Sequence, residues 1–354
     1  MTEKVKVGVI GLGFMGTTHL ELYRKSGKAE ICAVADARAD RLGGDISSVA
    51  GNIQGEKNER LDLSGVRTYR DGMDLIADPE VELVDICLPV HLHKVFALAA
   101  IAANKHVLCE KPLAMSSADA AEILAAAAQN EKCFMTGLCV RFWPEYRWAR
   151  EQLQAGALGE VRQAFFKRFS PTVQGMGADD WFADDSKSGG ALLEMHLHDT
   201  DQVRWLFGRP ERVTSSGCRG LRSKDCWDHV FTFYDFANGS LIVAEGGWTA
   251  AKGTPFEMSF QLIGTRATVI FGPAGLWIYH EDGRSEQVDL SGEPFPTGWE
   301  AELHALLDAI REGRKTDLLI APQEVVDGLA IIEAERKSAE SGLPVKVVYD
   351  RRGA

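Results

Sequence analysis

No stretch of this chain approaches the about 18 consecutive apolar residues that a membrane span needs; residues 81–90 (VELVDICLPV) are already broken by acids. No Cys-x-x-Cys occurs. The seven cysteines (Cys32, Cys87, Cys109, Cys133, Cys139, Cys218 and Cys226) are odd in number and mostly lie in apolar runs. They read as reduced core residues, and neither a disulfide framework nor a metal site is expected. The opening MTEKVKVGVIGLG lacks the apolar core and small-residue cleavage site of a signal peptide, so a cytoplasmic protein is expected. Positive charge is scarce too. Lys and Arg number 39 against 51 Asp and Glu, a formal net charge of −12. Such a surface repels phosphate backbones and anionic headgroups, so neither nucleic acid nor membrane is an expected partner. What remains is ordinary globular usage, 45 % apolar and 25 % charged, over 354 residues. That excludes a disordered chain or a rod and predicts two domains.

Residues 4–10 (KVKVGVI) predict a strand. Gly11-Leu12-Gly13-Phe14-Met15-Gly16 follows, then a helical pattern through about Lys25, then a second strand, 29–36 (AEICAVAD), ending in an acid. A glycine turn between strand and helix is the setting in which G-x-G-x-x-G binds a dinucleotide. Gly11 permits the tight turn, Gly13 lets the backbone approach a pyrophosphate, and Gly16 lets helix and strand pack closely. The N–H groups at the helix start, around Phe14 and Met15, face the phosphates. Asp36 stands where a carboxylate accepts from both ribose hydroxyls and repels a 2′-phosphate, so NAD is expected. Arg38, whose guanidinium can pair with such a phosphate, keeps NADP possible. Strands at 66–69, 82–88, 105–109 and 133–138 alternate with helices at 71–77, 91–103 and 117–130, which predicts a parallel sheet with helices on both faces. Residues 43–65 read as a polar, Gly-rich loop on the adenosine side.

At Cys109-Glu110-Lys111-Pro112 the pattern becomes specific. The chain resembles the glucose–fructose oxidoreductase / inositol dehydrogenase / MocA (Gfo/Idh/MocA) family over nearly its full length. The resemblance rests on GLGFMG with His19, on Asp85-Ile86-Cys87-Leu88-Pro89 leading to His93, and on Glu110-Lys111-Pro112. It continues through Arg141-Phe142-Trp143-Pro144, the Gly189–Glu194 run with His198-Asp199 and Asp201, and the C-terminal run AIREGRKTDLLIAPQEVVDGLAIIEAERKSAESGLPV. It implies an α/β protein: a Rossmann dinucleotide-binding domain over 1–137, then an α+β domain over 138–354 with a large, mostly antiparallel open sheet. The active site would lie between them, and the exposed sheet face would pair copies into a homodimer or homotetramer. Short alternating runs at 160–169, 213–218, 229–236, 240–248, 256–263, 267–271, 275–280 and 285–290 agree, with Asn238-Gly239 and Asp282-Gly283 as hairpin turns. Helices are expected at about 143–155, 190–207, 299–312 and 322–341, the last packing back toward the first domain.

The resemblance implies hydride transfer between a nicotinamide and a secondary alcohol. Lys111 would touch both the nicotinamide ribose and the reacting hydroxyl, with Leu88, His93 and Glu110 also near the cofactor. A lysine base at neutral pH needs burial or neighbouring positive charge. Glu194 and His198, at i and i+4, share a helix face and would complete the site, with His198 relaying the proton. The family pattern has Asp where this chain has Glu194, commonly Gly where it has His196, and often Asn where it has Val90. On a helix His196 points away from Glu194 and His198, so it is expected to be structural or pocket-lining. Val90 leaves His91 and His93 as the nearby polar candidates. Residues 171–189 read as a substrate-facing loop, with Trp181 and Lys187 as candidates and Arg168 at the preceding strand end. Trp143, Trp227 and Trp299 are further aromatic candidates for stacking on a sugar.

The leading expectation is an NAD-dependent dehydrogenase of a sugar, anhydrosugar, sugar acid or inositol. Two alternatives stand beside it. One is a redox-neutral enzyme that oxidises a glycoside transiently and cleaves it, kept open by Glu194 and His196. The other is a non-catalytic sensor of cofactor or sugar, disfavoured by the presence of Lys111 and His198.

Overall fold

The computed structural model describes residues 3–49, 51, 59–172, 178–315 and 319–350. The first strands and helices follow the alternation in order: β1 (Val5–Ile10), α1 (Phe14–Ser26), β2 (Ala29–Ala35), α2 (Ala39–Leu42), β3 (Arg67–Tyr69), α3 (Gly72–Ala77), β4 (Leu83–Ile86), α4 (Val90–Ala102), β5 (His106–Glu110), α5 (Ser117–Ala128) and β6 (Phe134–Gly137). Local chemistry sets the helix ends. The Asp71 carboxylate accepts from the Met73 N–H ahead of α3, and the Ser116 hydroxyl accepts from the Asp119 N–H ahead of α5. Gly27, at φ 65°, closes α1. The six strands pair in parallel in the order β3-β2-β1-β4-β5-β6. All four residues of β4 are buried, as a sheet covered on both faces requires. Strand order reverses between β1 and β4, and ligands of such sheets bind outside the carboxyl ends of the strands at that point.

The remaining elements are α6 (Pro144–Gln154), β7 (Val161–Pro171), α7 (Asp185–Ser188), a π turn (Leu192–His196), α8 (Leu197–Phe207), β8 (Arg212–Arg219), β9 (Trp227–Asp235), β10 (Leu241–Ala250), β11 (Glu257–Gly264), β12 (Ala267–Gly272), β13 (Gly275–His280), β14 (Ser285–Gln287), α9 (Gly298–Arg311), α10 (Pro322–Ser341) and β15 (Val345–Lys346). Nine of these strands form one sheet in the order β14-β13-β12-β11-β7-β10-β9-β8-β15. All neighbours are antiparallel except β7 and β10. Gly239, at φ 72°, makes the β9–β10 hairpin turn. The helix expected over 190–207 is interrupted by the π turn, which sequence periodicity does not register. One face of this sheet exposes Phe231, Phe233 and Leu241, the last at 66 %.

The chain divides into two units. The first gathers residues 1–139, 176–181 and 299–322; the second gathers 140–175, 182–298 and 323–354. Thus α9 belongs with the parallel sheet, where Lys28, between α1 and β2, meets Asp308 at 2.7 Å, and α10 belongs with the nine-stranded sheet. Among the described residues no helix is long and apolar enough to cross a membrane.

Candidate active site

The glycine turn has the geometry a dinucleotide needs. A Cβ on Gly16 would lie 1.8 Å from the Gly11 carbonyl oxygen, and one on Gly11 would lie 2.3 Å from the Cys87 carbonyl oxygen. Those two glycines are therefore set by close packing. Gly13 differs: a Cβ there meets nothing within 4 Å, so its backbone faces open space that a pyrophosphate can enter. No side chain caps α1 and no acid sits in its first turn, which suits an anion. Phe14 and Met15 open the helix half-buried, and Phe14 packs edge-on against Trp299 of α9, 6.4 Å between ring centres. Trp299, a candidate sugar platform by sequence, packs on Phe14 at the start of α1.

Asp36 sits at the end of β2, 8 % exposed. Its Oδ2 accepts from the Leu12 N–H at 2.7 Å and its Oδ1 from the Arg38 N–H at 2.8 Å, so it also braces the glycine turn. The Arg38 guanidinium turns to Asp40, at 2.5 and 3.1 Å. The cation facing Asp36 is Arg41, at 3.4 Å, which the sequence reading passed over. Residues 50 and 52–58 of the adenosine-side loop lie outside the described residues.

At the ends of β4 and β5 the chain is held by His93. One ring nitrogen faces the Pro112 carbonyl at 2.7 Å and the other the Leu88 carbonyl at 2.6 Å. Burial, opposed only in part by those carbonyls, holds its pKa down near 4. His93 is thus a strap between the segments bearing Leu88 and Lys111, and His91 points to the exposed side. Lys111 is half-buried and joined to Pro112 by a cis peptide. Its N–H donates to Oε2 of buried Glu110 at 3.1 Å. Burial pushes the Glu110 carboxyl up, against the pull of His19 and Lys111.

In the second unit Glu194 lies on the π turn, 8 % exposed, and His198, half-buried, lies in the first turn of the following α8. A π turn inside a helix is frequent at functional sites. His196 is completely buried on the sheet side, its Nε2 3.1 Å from Thr232 Oγ1 and 3.4 Å from Glu335 Oε2. A Cβ on Gly246 of β10 would come within 2.8–2.9 Å of His196, so the glycine makes this approach possible. Arg168, an expected substrate contact, is paired inside the second unit. Its guanidinium is buried and bound bidentately to Asp199, at 3.0 and 3.1 Å, because a buried cation at a strand end must be paired. That pair ties β7 to the residue after His198. Arg141 is likewise an internal anchor, bonded to Asp201 at 2.7 and 2.8 Å and to Glu324. Trp181 is half-buried and grouped with the first unit, Lys187 reaches Asp184 at 3.6 Å, and Trp227 is buried. Residues 173–177 of that loop lie outside the described residues.

Sequence reasoning missed a buried acid. Glu302 on α9 is fully enclosed, and burial together with Glu110 and Asp85 pushes its carboxyl well up. The signal was present: Glu302 falls in register with Leu306 and Ala309 on the apolar stripe of its helix.

Comparison with known proteins agrees with this construction. Residues 5–138 match the model of an oxidoreductase family with an NAD-binding Rossmann fold, and residues 146–270 match the GFO/IDH/MocA C-terminal domain. A myo-inositol 2-dehydrogenase of Thermotoga maritima is 30 % identical over 270 residues, 75 % of this chain and 74 % of that protein. A levoglucosan dehydrogenase of Pseudarthrobacter phenanthrenivorans is 27 % identical over 309 residues, 76 % of this chain and 74 % of that protein. The fold superimposes on a solved levoglucosan dehydrogenase in complex with NADH and levoglucosan, with a TM-score of 0.81 at 23 % identity over 98 % of this chain and 100 % of that one. The glycine cradle, the Glu-Lys-Pro strand end and both family matches converge: the chain belongs to the Gfo/Idh/MocA oxidoreductase family and is an NAD-dependent dehydrogenase.

Proposed function

We propose that this enzyme oxidises a secondary hydroxyl of a polyhydroxylated ring (a sugar, anhydrosugar, sugar acid or inositol), or runs the reverse reaction. One arrangement carries the reading: Lys111 follows β5 on the same sheet edge as the open Gly13 backbone and the Asp36 carboxylate. Relatives named for myo-inositol and levoglucosan dehydrogenation support the substrate class. Bound NAD supplies the acceptor for the hydride leaving the carbinol carbon. Gly11, Gly13, Phe14, Met15 and Gly16 hold its pyrophosphate through the main chain, and Asp36 takes the ribose hydroxyls. Lys111 takes the hydroxyl proton as the carbonyl forms, which leaves a ketone after loss of one hydride and one proton. His198, half-buried, passes that proton toward water, and Glu194 orients a neighbouring hydroxyl of the ring.

The redox-neutral alternative loses part of its motive, since His196 is enclosed against Thr232 and Glu335 and is not a pocket residue. Stoichiometry tests the choice. With NAD and a panel of polyols, NADH should accumulate in proportion to ketone formed. Glycoside cleavage without net NADH would sink the dehydrogenase reading. We further propose that a second copy covers Phe231, Phe233 and Leu241 on the nine-stranded sheet, because exposed apolar rows on a sheet face favour association. Sedimentation at the monomer mass would refute that pairing.

A further inference from the structure

We propose that His19 is a positioning residue of this site: clamped between Asp85 and Glu110, it fixes the carboxylate that holds the main chain at Lys111. The inference rests on the reading that Lys111 takes the hydroxyl proton.

Three donors converge on the buried Asp85 carboxylate. They are His19 Nδ1 at 2.8 Å, the Tyr23 hydroxyl at 2.9 Å and the Cys87 thiol at 3.3 Å. A carboxylate so served accepts only, so Nδ1 of His19 carries a hydrogen. The other ring nitrogen, Nε2, faces Glu110 Oε1 at 3.4 Å, an ion-pair distance longer than a good hydrogen bond. Were Nε2 bare, two lone pairs would oppose each other in a buried setting. A protonated ring removes that conflict and lies as a cation between two acids. The remaining oxygen of Glu110, Oε2, accepts from the Lys111 N–H. The adjacent strand leaves room for this carboxylate because residue 137 is glycine: a Cβ there would lie 3.1 Å from Glu110 Cδ. His19 comes from α1, the helix of the glycine turn, so one ring links the cofactor cradle to the strand end that carries Lys111.

Charge is balanced across the cluster. His19 and Lys111 offset Asp85 and Glu110. Tyr23, Cys87 and Cys109 remain neutral, because burial and the neighbouring acids raise all three. Glu302, approaching from α9, is kept neutral in the same way. Without the His19 cation, Glu110 would lose its brace and its negative charge would act on its surroundings unopposed. Without the Glu110 charge, the His19 cation would act on Lys111 unopposed.

His19→Asn keeps a donor toward Asp85 but vacates the side facing Glu110. Glu110→Gln keeps an acceptor for the Lys111 N–H but removes the charge. In the holoenzyme, His19→Asn should lower kcat about 100-fold through misplacement of Lys111, with KM for NAD little changed. The alkaline-rising limb of kcat should move to higher pH in His19→Asn and to lower pH in Glu110→Gln. Opposite shifts are not produced by loosened packing. In the native protein without cofactor, nitrogen NMR of His19 should find both ring nitrogens protonated at neutral pH. A singly protonated ring, or limbs that do not move apart, would overturn the inference. Lys111→Ala separates the two levels. Full turnover in that variant would overturn the reading of Lys111 and this inference with it. Lost turnover with unmoved limbs would overturn this inference alone.

Discussion

Two of the buried histidines, His19 in the first unit and His196 in the second, have surroundings that drive their pKa values in opposite directions. Burial works against the charged form of both. Around His19 it is outweighed by Asp85, through charge and a direct hydrogen bond, and by Glu110, so the pKa is raised. Around His196 burial is reinforced by the positive fields of His229 and Arg168, and the pKa falls to about 3. Its acidic neighbour Glu335, bonded to Thr200 at 3.0 Å, is pushed up by burial to about 8. The same side chain at the same depth thus has its pKa raised beside Asp85 and Glu110 and lowered beside Thr232 and Glu335. The first sits beside the main chain of Lys111, the proposed proton acceptor. The second anchors the π turn that carries Glu194, where only shape and hydrogen bonds are needed.

The largest expected effect comes from breaking the charged cluster. Asp85→Asn strips the His19 ring and the Tyr23 hydroxyl of their shared anion and should cost about 3–5 kcal/mol in denaturant unfolding. Loss near zero would mean that His19 is not a cation. Gly246→Ala attacks the neutral cluster by shape alone. The new methyl would enter the space of the His196 ring and backbone, so a loss of about 1–3 kcal/mol is expected, with kcat falling as the π turn shifts. Unchanged stability and kcat would remove the π turn from the account.

A subtler test reads the pH dependence of stability. Glu335 has its pKa raised in the folded state, so its contribution is full below about 4.5 and is lost as pH rises toward about 8. Glu335→Gln keeps the acceptor for Thr200 and should be more stable than the native protein at pH 9 by about 1–3 kcal/mol, the desolvation cost of a buried polar group. The smallest effect is a difference of slopes. His19, raised, contributes stability that declines as pH climbs through its folded pKa. His196, depressed, contributes stability that is lost as pH falls from about 6.5 toward about 3. His196→Gln should flatten the acid side of the stability profile, and His19→Asn should not. Thermal unfolding across pH checks both, and matching profiles would erase the distinction between the two rings.

What could be read from sequence follows from how locally each feature is encoded. The glycine cradle was legible because steric rules tie each glycine to a neighbour within one strand–turn–helix unit, as Gly11 and Gly16 illustrate. The second sheet was legible through alternation and two turn dipeptides. The His19 cluster was not, since its members at positions 19, 85, 110 and 302 meet only after folding. The pairing of Arg168 was not legible because nothing local announces Asp199 as its partner. The π turn escaped because helical periodicity is the same on either side of it. Trp299 was readable as an aromatic near a helix start, but its contact with Phe14 depends on which unit the helix joins.

Deuterium at the carbinol carbon tests the central claim most directly. The enzyme would be given NAD and ring-deuterated polyols, myo-inositol and levoglucosan among them, and the reduced cofactor examined by mass spectrometry. The account predicts reduced cofactor carrying one deuterium from the substrate carbon, with the Lys111→Ala variant slowed by about 100-fold or more. Deuterium released to water, or product formed with the cofactor unlabelled, would contradict it.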